Sequence, residues 1–209
     1  NTISIEIDRP EKLAFWDEFN PARYDVEVTT NSGSIKTRFG YKGIANNNGD
    51  LSLNGKRIFL RGNLECVIFP LTGHPPMEKQ DWATLIAKAK AYGLNHLRFH
   101  SWCPPKAAFD AADEAGFYYQ VELPHWSLRV GEDEKTTRFL KAEADKILKD
   151  YGNHPSFILM SLGNELQGDI GLLNKMVAKL KTIDNRHLYT TTSFSFQKPT
   201  GTRPEVEDE

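Results

Sequence analysis

The chain has 209 residues, with 26 Lys and Arg against 28 Asp and Glu and a formal net charge of -2. That length suits one large domain or one and a half smaller ones. The near balance of charge, with no long block of one sign, argues against a nucleic-acid-binding arm or a membrane-surface helix. No stretch reaches the ~18 apolar residues of a membrane span, and Cys66 and Cys103 share no C-x-x-C spacing, so neither a zinc site nor a disulfide framework is implied.

The first residue is Asn1, no signal-peptide pattern follows it, and the chain reads as an excised piece whose compartment is left open. Ile3, Ile5 and Ile7 alternate with polar residues, as do Tyr24, Val26 and Val28, which is the period of half-buried antiparallel strands. Asn31-Ser32-Gly33-Ser34 reads as a hairpin turn into a strand over 35–39. Three short strands cannot close a sandwich, so residues 1–45 read as the end of a β-sandwich. A polar link over 45–50 then separates this part from a second region, where strands alternate with helical patterns.

There, Asn54-Gly55 predicts a hairpin turn followed by a strand over 57–61. Trp82, Leu85, Ile86 and Ala89 share one face of a helix over 78–92, which Gly93 is placed to stop. A strand over 94–99 follows, then a helix opened by Pro104-Pro105 and closed by Gly116, then a strand over 117–123. Leu140, Ala144, Ile147, Leu148 and Tyr151 make a third helical stripe, and Leu172, Leu173, Met176, Val177 and Leu180 a fourth; a fifth strand is predicted over 188–192. Repeated βα units imply a parallel sheet with covering helices. A closed eight-unit barrel needs about 250 residues, so five strands and four helices are either a small open sheet or an interrupted barrel. The tail over 197–209 has no apolar pattern to bury, and an interrupted barrel is the reading favoured.

The fourth strand carries the chemistry. Phe157 to Leu162 is an almost unbroken apolar run, as expected of a parallel strand covered on both faces, and Gly163, Asn164 and Glu165 follow at its carboxyl end. That end is where α/β folds place their reacting groups. A carboxyl group at an apolar rim is suited to general acid work, because burial disfavours its charged form. The competing reading is that Glu165 merely opens the next helix, where its charge favours the dipole. On the same rim fall Asn63 and Glu65 from the first strand, Arg98, His100, Ser101 and Trp102 from the second, and Glu122, His125 and Trp126 from the third. Carboxylates, an arginine, an amide and indoles together suit a sugar, whose hydroxyls bind polar groups while its ring faces rest on indole.

Several of these stretches, in order, resemble glycoside hydrolases of family 2, the group of β-galactosidases, β-glucuronidases and β-mannosidases. They are W-D-E-F-N-P-A-R-Y-D-V-E-V, R-F-G-Y-K-G-I and L-N-G-K-R-I-F-L-R-G at the join, A-Y-G-L-N-H-L-R-F-H at the second strand, F-D-A-A-D-E-A-G-F-Y-Y-Q-V-E at the third and N-H-P-S-F-I-L-M-S-L-G-N-E at the fourth. The resemblance implies a partial (β/α)8 barrel over 46–209, preceded by the C-terminal part of an immunoglobulin-like domain over 1–45. It also implies a retaining, exo-acting hydrolase of β-linked sugars that needs no cofactor and no metal. Its partner would be a glycoside or oligosaccharide, with no nucleic acid and no membrane, and the oligomeric state is left open. Position by position, Glu165 matches the general acid/base, Asn164 the group that bonds the sugar 2-hydroxyl, and Arg98 the arginine that supports the catalytic carboxylates. His100, Glu122 and Trp126 are carried as substrate-binding candidates. The family's nucleophile is a glutamate on the seventh strand, which falls outside this chain.

The chain departs from the family where R-F-H-S-W-C-P replaces R-T-S-H-Y-P, setting His100 one place early, and where L-E-C-V-I-F replaces a histidine–glutamate pair after the first strand. These positions shape the pocket, so the sugar itself is left open. The alternative reading is a catalytically silent carbohydrate-binding module. A metal-dependent hydrolase built on His96 and His100 lacks a third ligand at regular spacing. Trp102 and Trp126 are equally readable as packing residues or sugar platforms, Glu122 as a pocket residue or an ion-pair member, and His154 as a loop or capping residue.

Overall fold

The computed structural model describes residues 12–194; the alternation at Ile3, Ile5 and Ile7 and the tail over 197–209 lie outside them. The first elements are an antiparallel hairpin, β1 (Tyr24–Thr30) and β2 (Gly33–Phe39), paired from Tyr24↔Phe39 to Thr30↔Gly33. The turn lies where Asn31 and Ser32 predict it. The expected half-burial is observed at the start of β1, where Tyr24 and Val26 are partly buried and alternate with exposed Asp25 and Glu27, but not beyond it: Val28 is 50% and Ile35 75% exposed.

The stretch read as a polar link is instead structured. Asn48 and Gly49, with φ of 55° and 97°, make a left-handed two-residue turn between β3 (Ile44–Asn47) and β4 (Asp50–Leu53). Asn54-Gly55 makes the second turn, as its sequence predicts, into β5 (Lys56–Arg57). The strand expected over 57–61 is therefore divided. Its start completes this small antiparallel sheet, Ile58 and Leu60 turn to pack on a buried cluster, and the parallel sheet begins only at β6 (Gly62–Glu65).

Four βα units follow: α1 (Lys79–Ala91), β7 (His96–Phe99), α2 (Lys106–Ala115), β8 (Tyr118–Glu122), α3 (Glu134–Tyr151), β9 (Phe157–Ser161), α4 (Ile170–Ile183) and β10 (Leu188–Thr190). The strands lie in the order β10-β9-β8-β7-β6, each parallel to its neighbour. Spatial order equals chain order and never reverses, which is the arrangement of a barrel wall rather than of a doubly wound sheet. The sheet is thus the arc of a partial (β/α)8 barrel. Among the described residues no helix is long and apolar enough to cross a membrane.

Alternation along the strands separates two environments. Leu97, Phe99, Tyr119, Val121, Phe157 and Met160 face the helices and join Trp82, Ile86, Phe109, Leu140, Ile147 and Leu173 in the main core. The neighbouring positions, His96 and Arg98 among them, face the inside of the arc. At the amino-terminal end of the strands, Trp16, Leu53, Tyr118 and Ile158 form a second cluster, and Trp16 donates through Nε1 to the Asp113 carbonyl at 2.9 Å. The Asp113 carboxylate accepts from the Ser156 amide at 3.0 Å and hydroxyl at 2.6 Å, and it meets His154 Nδ1 at 2.6 Å. His154, which also stacks on Phe109, is therefore part of a buried network joining α2 to the start of β9, a larger role than loop or cap. Replacing Asp113 with Ala leaves a buried amide and an imidazole without their acceptor, and a loss of about 3 kcal/mol in unfolding free energy is expected. Urea denaturation of Asp113→Ala measures it; a loss below ~1 kcal/mol would contradict this account of the network.

Candidate active site

Glu165 does not open a helix. β9 ends at Ser161, α4 begins at Ile170 under an Asp169 cap, and Glu165 stands in the loop between them, at the carboxyl end of the arc. The loop is set by close backbone approach. Gly163 (φ 148°) passes so near β8's following loop that a Cβ would lie 2.2 Å from the His125 carbonyl oxygen, and the Asn164 amide donates to that same oxygen at 3.0 Å. Only glycine fits there. Glu165 itself has φ 51°, a left-handed conformation that costs a non-glycine residue on the order of 1 kcal/mol or more. Such a strained backbone is found where surrounding structure dictates the aim of a side chain.

Beneath Glu165 lies a polar lock. Arg98 donates through Nε to Glu122 Oε1 and through Nη2 to Asn164 Oδ1, both at 2.6 Å. Ser101 donates to Glu122 Oε2 at 2.7 Å, Ser193 donates to Oε1, and Gln120 donates to Ser193 at 2.9 Å. Glu122 has 0% exposure. Both its oxygens are taken by these donors, so its contacts are those of an anchor for Arg98. Because a guanidinium only donates, Arg98 takes the Asn164 side-chain oxygen as its acceptor and so fixes the orientation of that amide.

Above the lock the groups are more open. Trp126, 63% exposed, donates through Nε1 to Glu165 Oε2 at 3.0 Å, and the His100 ring meets the indole edge-on at 5.3 Å. Glu165, Asn164, Arg98, His100, Glu122 and Trp126 are thus brought together at one rim, linked by direct contacts in chains through Arg98 and Trp126. The two tryptophans separate clearly. Trp102 packs on Phe99 and Trp82 and bonds the Glu65 carbonyl at 3.2 Å, as a core residue does. Glu65 sits at the edge of this group; burial pushes its carboxyl up, and its Oε2 accepts from the Val67 amide. His125 is buried, which pushes its imidazole down, and it serves the site through its backbone.

His96 and His100 do not form a ligand pair. His96 lies buried on the inner face, its Nε2 without a partner, while His100 is at the rim beside Trp126. No group of three or more His, Cys, Asp or Glu side chains among the described residues could hold a metal ion. Sequence reasoning missed Ser193, which follows β10 and reaches the carboxylate on β8. Applying the carboxyl-end rule to the fifth strand, as to the other four, would have found it.

Two measurements follow from this geometry. Gly163→Ala must displace either its own loop or the His125 carbonyl, and it is expected to cost at least ~2 kcal/mol and to separate Asn164 from Arg98; thermal unfolding reads the first effect and a crystal structure of the variant the second. Burial, with the nearby charge of Arg98, lowers the His96 pKa from 6.5 to about 4. Between those values the unfolded chain binds the proton and the folded chain does not, so stability falls as pH drops from about 6.5 to about 4, by about 3 kcal/mol in all. Urea denaturation across that window is expected to show a shallower acid limb for His96→Leu than for the natural chain.

No protein-family model matches the chain. Relatives are found by direct comparison. The β-galactosidase of Thermoanaerobacterium thermosulfurigenes is 27% identical over 182 residues, which span 84% of this chain and 25% of that protein. Among solved structures, β-glucuronidase 3 of Bacteroides uniformis superposes with a TM-score of 0.71 at 22% identity, over 84% of this chain and 24% of the other. The family 2 β-galacturonidase of Eisenbergiella tayi, bound to galacturonate, superposes with a TM-score of 0.78 at 18% identity, over 85% of this chain and 33% of the other. The chain therefore spans about a quarter to a third of the length of these proteins. Over the aligned residues the chain is similar to β-galactosidases and β-glucuronidases, and it shares the fold of family 2 glycoside hydrolases.

Proposed function

We propose that this chain supplies the acid/base half of a retaining glycosidase that removes β-linked sugars from chain ends, as β-galactosidases do. The observation that carries the reading is the strained, rim-standing carboxylate of Glu165, held by Trp126 and flanked by an Asn164 amide that Arg98 has oriented. In this reading Glu165 protonates the departing glycosidic oxygen and then takes a proton from the water that releases the sugar. Asn164 offers its amide N–H to a sugar hydroxyl, in the family the 2-hydroxyl. His100 and Trp126 line the approach, and Glu122 acts by holding Arg98.

Retaining hydrolysis needs a second carboxylate about 5–5.5 Å from the first. Glu122 is a poor candidate, being buried with both oxygens engaged. We assign the attacking group to a glutamate outside this chain, on a later strand of the same barrel. The domain division belongs to the same reading, with residues 1–45 closing an immunoglobulin-like domain and 46–209 opening the catalytic barrel.

The test is Glu165→Gln in the intact enzyme that carries this chain, assayed on glycosides with good and poor leaving groups. A loss of at least ~100-fold is expected on the poor leaving group, where protonation is needed, and a much smaller one on an activated aryl glycoside. An unchanged rate on the poor leaving group overturns the assignment. The isolated 209-residue chain is expected to show no turnover; measurable hydrolysis by it would mean that the attacking carboxylate lies within the sequence after all.

A further inference from the structure

Glu165 keeps a left-handed backbone although it carries a side chain, and the amides around it show what imposes that conformation. Asn164 donates to the His125 carbonyl, Leu166 to the Thr192 hydroxyl and Gln167 to the Ser127 carbonyl, each at 3.0 Å. The ladder then continues: Val130 donates to the Gln167 carbonyl at 2.9 Å, and Asp169 donates to the Val130 carbonyl at 3.0 Å. Val130 and Gly168 thereby form a parallel bridge outside the barrel sheet, and the chain passes straight from it into the Asp169 cap of α4. Trp126 and Glu165 lie between the same two rungs, so the ladder also fixes the spacing of the two backbones whose side chains meet at 3.0 Å.

Packing from beneath does not account for this order. Behind the ladder, α3 and α4 leave a hollow of about 130 Å³ lined by Leu140, Leu162, Leu173 and Met176. The backbone bonds therefore carry the two loops, and those bonds depend on Gly168. With φ 112°, Gly168 lies so close to the facing loop that a Cβ would stand 2.5 Å from the Val130 nitrogen and 2.7 Å from its oxygen, the two atoms that make the rungs. Any side chain at this position forces the loops apart. We infer that Gly168 is a positioning residue for Glu165: it lets the two loops close into one backbone ladder, and the ladder holds the acid in its left-handed aim at the leaving oxygen. The inference rests on the reading of Glu165 as the acid/base.

The experiment uses the intact enzyme and begins with amide hydrogen exchange on the natural chain. Slow exchange is expected at Val130, Gln167 and Asp169, and exchange as fast as that of an exposed loop overturns the inference. Gly168→Ala is then compared with Gly116→Ala. Gly116, at the opposite end of the arc, is also left-handed (φ 62°), and a Cβ there would meet the Asp17 carbonyl oxygen at 2.9 Å, so the control carries similar strain away from the site. Both changes are expected to lower Tm. Only Gly168→Ala is expected to speed exchange at the ladder amides and to lower kcat at least ~tenfold on the methyl glycoside of whichever sugar the enzyme accepts, where proton donation is slow. KM is expected to stay unchanged and the activated 4-nitrophenyl glycoside to be spared. Val130→Pro removes one rung from the opposite loop and is expected to give the same pattern; it decides the matter if Gly168→Ala does not fold. An unchanged kcat on the methyl glycoside, an equal loss on both substrates, or an equal loss in Gly116→Ala overturns the inference. Glu165→Gln run in parallel keeps the two readings apart. If it loses the methyl glycoside while the ladder variants behave as wild type, only the positioning role falls; if it loses nothing, the acid/base reading falls and takes the positioning role with it.

Discussion

A carboxylate with no exposure to water must be matched by charge and hydrogen bonds or the fold around it does not persist. Glu122 is that carboxylate, and the groups that match it come from all across the arc. Arg98 is on β7, Ser101 lies just past it, Ser193 follows β10, and through Arg98 the lock reaches Asn164 after β9. Each contact alone is an ordinary charge-assisted hydrogen bond. Together they fix the relative heights of four neighbouring strands at their carboxyl ends, which is the dimension a site shared among loops most needs to have fixed.

The opposite end of the arc is built differently. There Trp16, Leu53, Tyr118 and Ile158 seal the strands with apolar bulk, and the Asp113 network ties helix to strand. The apolar seal and the candidate site are thus divided between the two ends, as the barrel architecture allows. The upper end shows a gradient: Glu122 fully buried, Asn164 buried, Glu165 partly open, and Trp126 largely exposed. Fully bonded polar groups lie underneath and more open ones above, an order that suits the proposed site, whose aim must be fixed while its contents exchange.

A single glycine connects the two levels. At Gly163 the chain from β9 runs against the His125 carbonyl with no room for a side chain, and this contact delivers Asn164 to Arg98 and Glu165 to Trp126. The left-handed conformation of Glu165 is the cost of that turn. The departure from the family pattern at Ser101 has a physical place as well, because its hydroxyl is one of the three donors on Glu122.

The sequence by itself determined the alternation of strands and helices, the turn residues at Asn54-Gly55, the stop at Gly116, and the short list of polar groups at strand ends. All of these follow from local rules, namely the period of apolar residues, the conformational freedom of glycine, and the carboxyl-end placement of chemistry. Tertiary structure decided what local rules cannot reach. Residues 45–50 became a hairpin rather than a link, the strand expected over 57–61 broke to pack on the cluster around Trp16 and Tyr118, and His154 and Ser193 found partners 41 and 71 residues away. It also decided which of two equally readable tryptophans packs on the core and which stands at the rim beside Glu165. The reason is the same in each case: side-chain partners and burial depend on elements far apart in the chain, and a pattern of neighbours along the sequence carries no record of those distances.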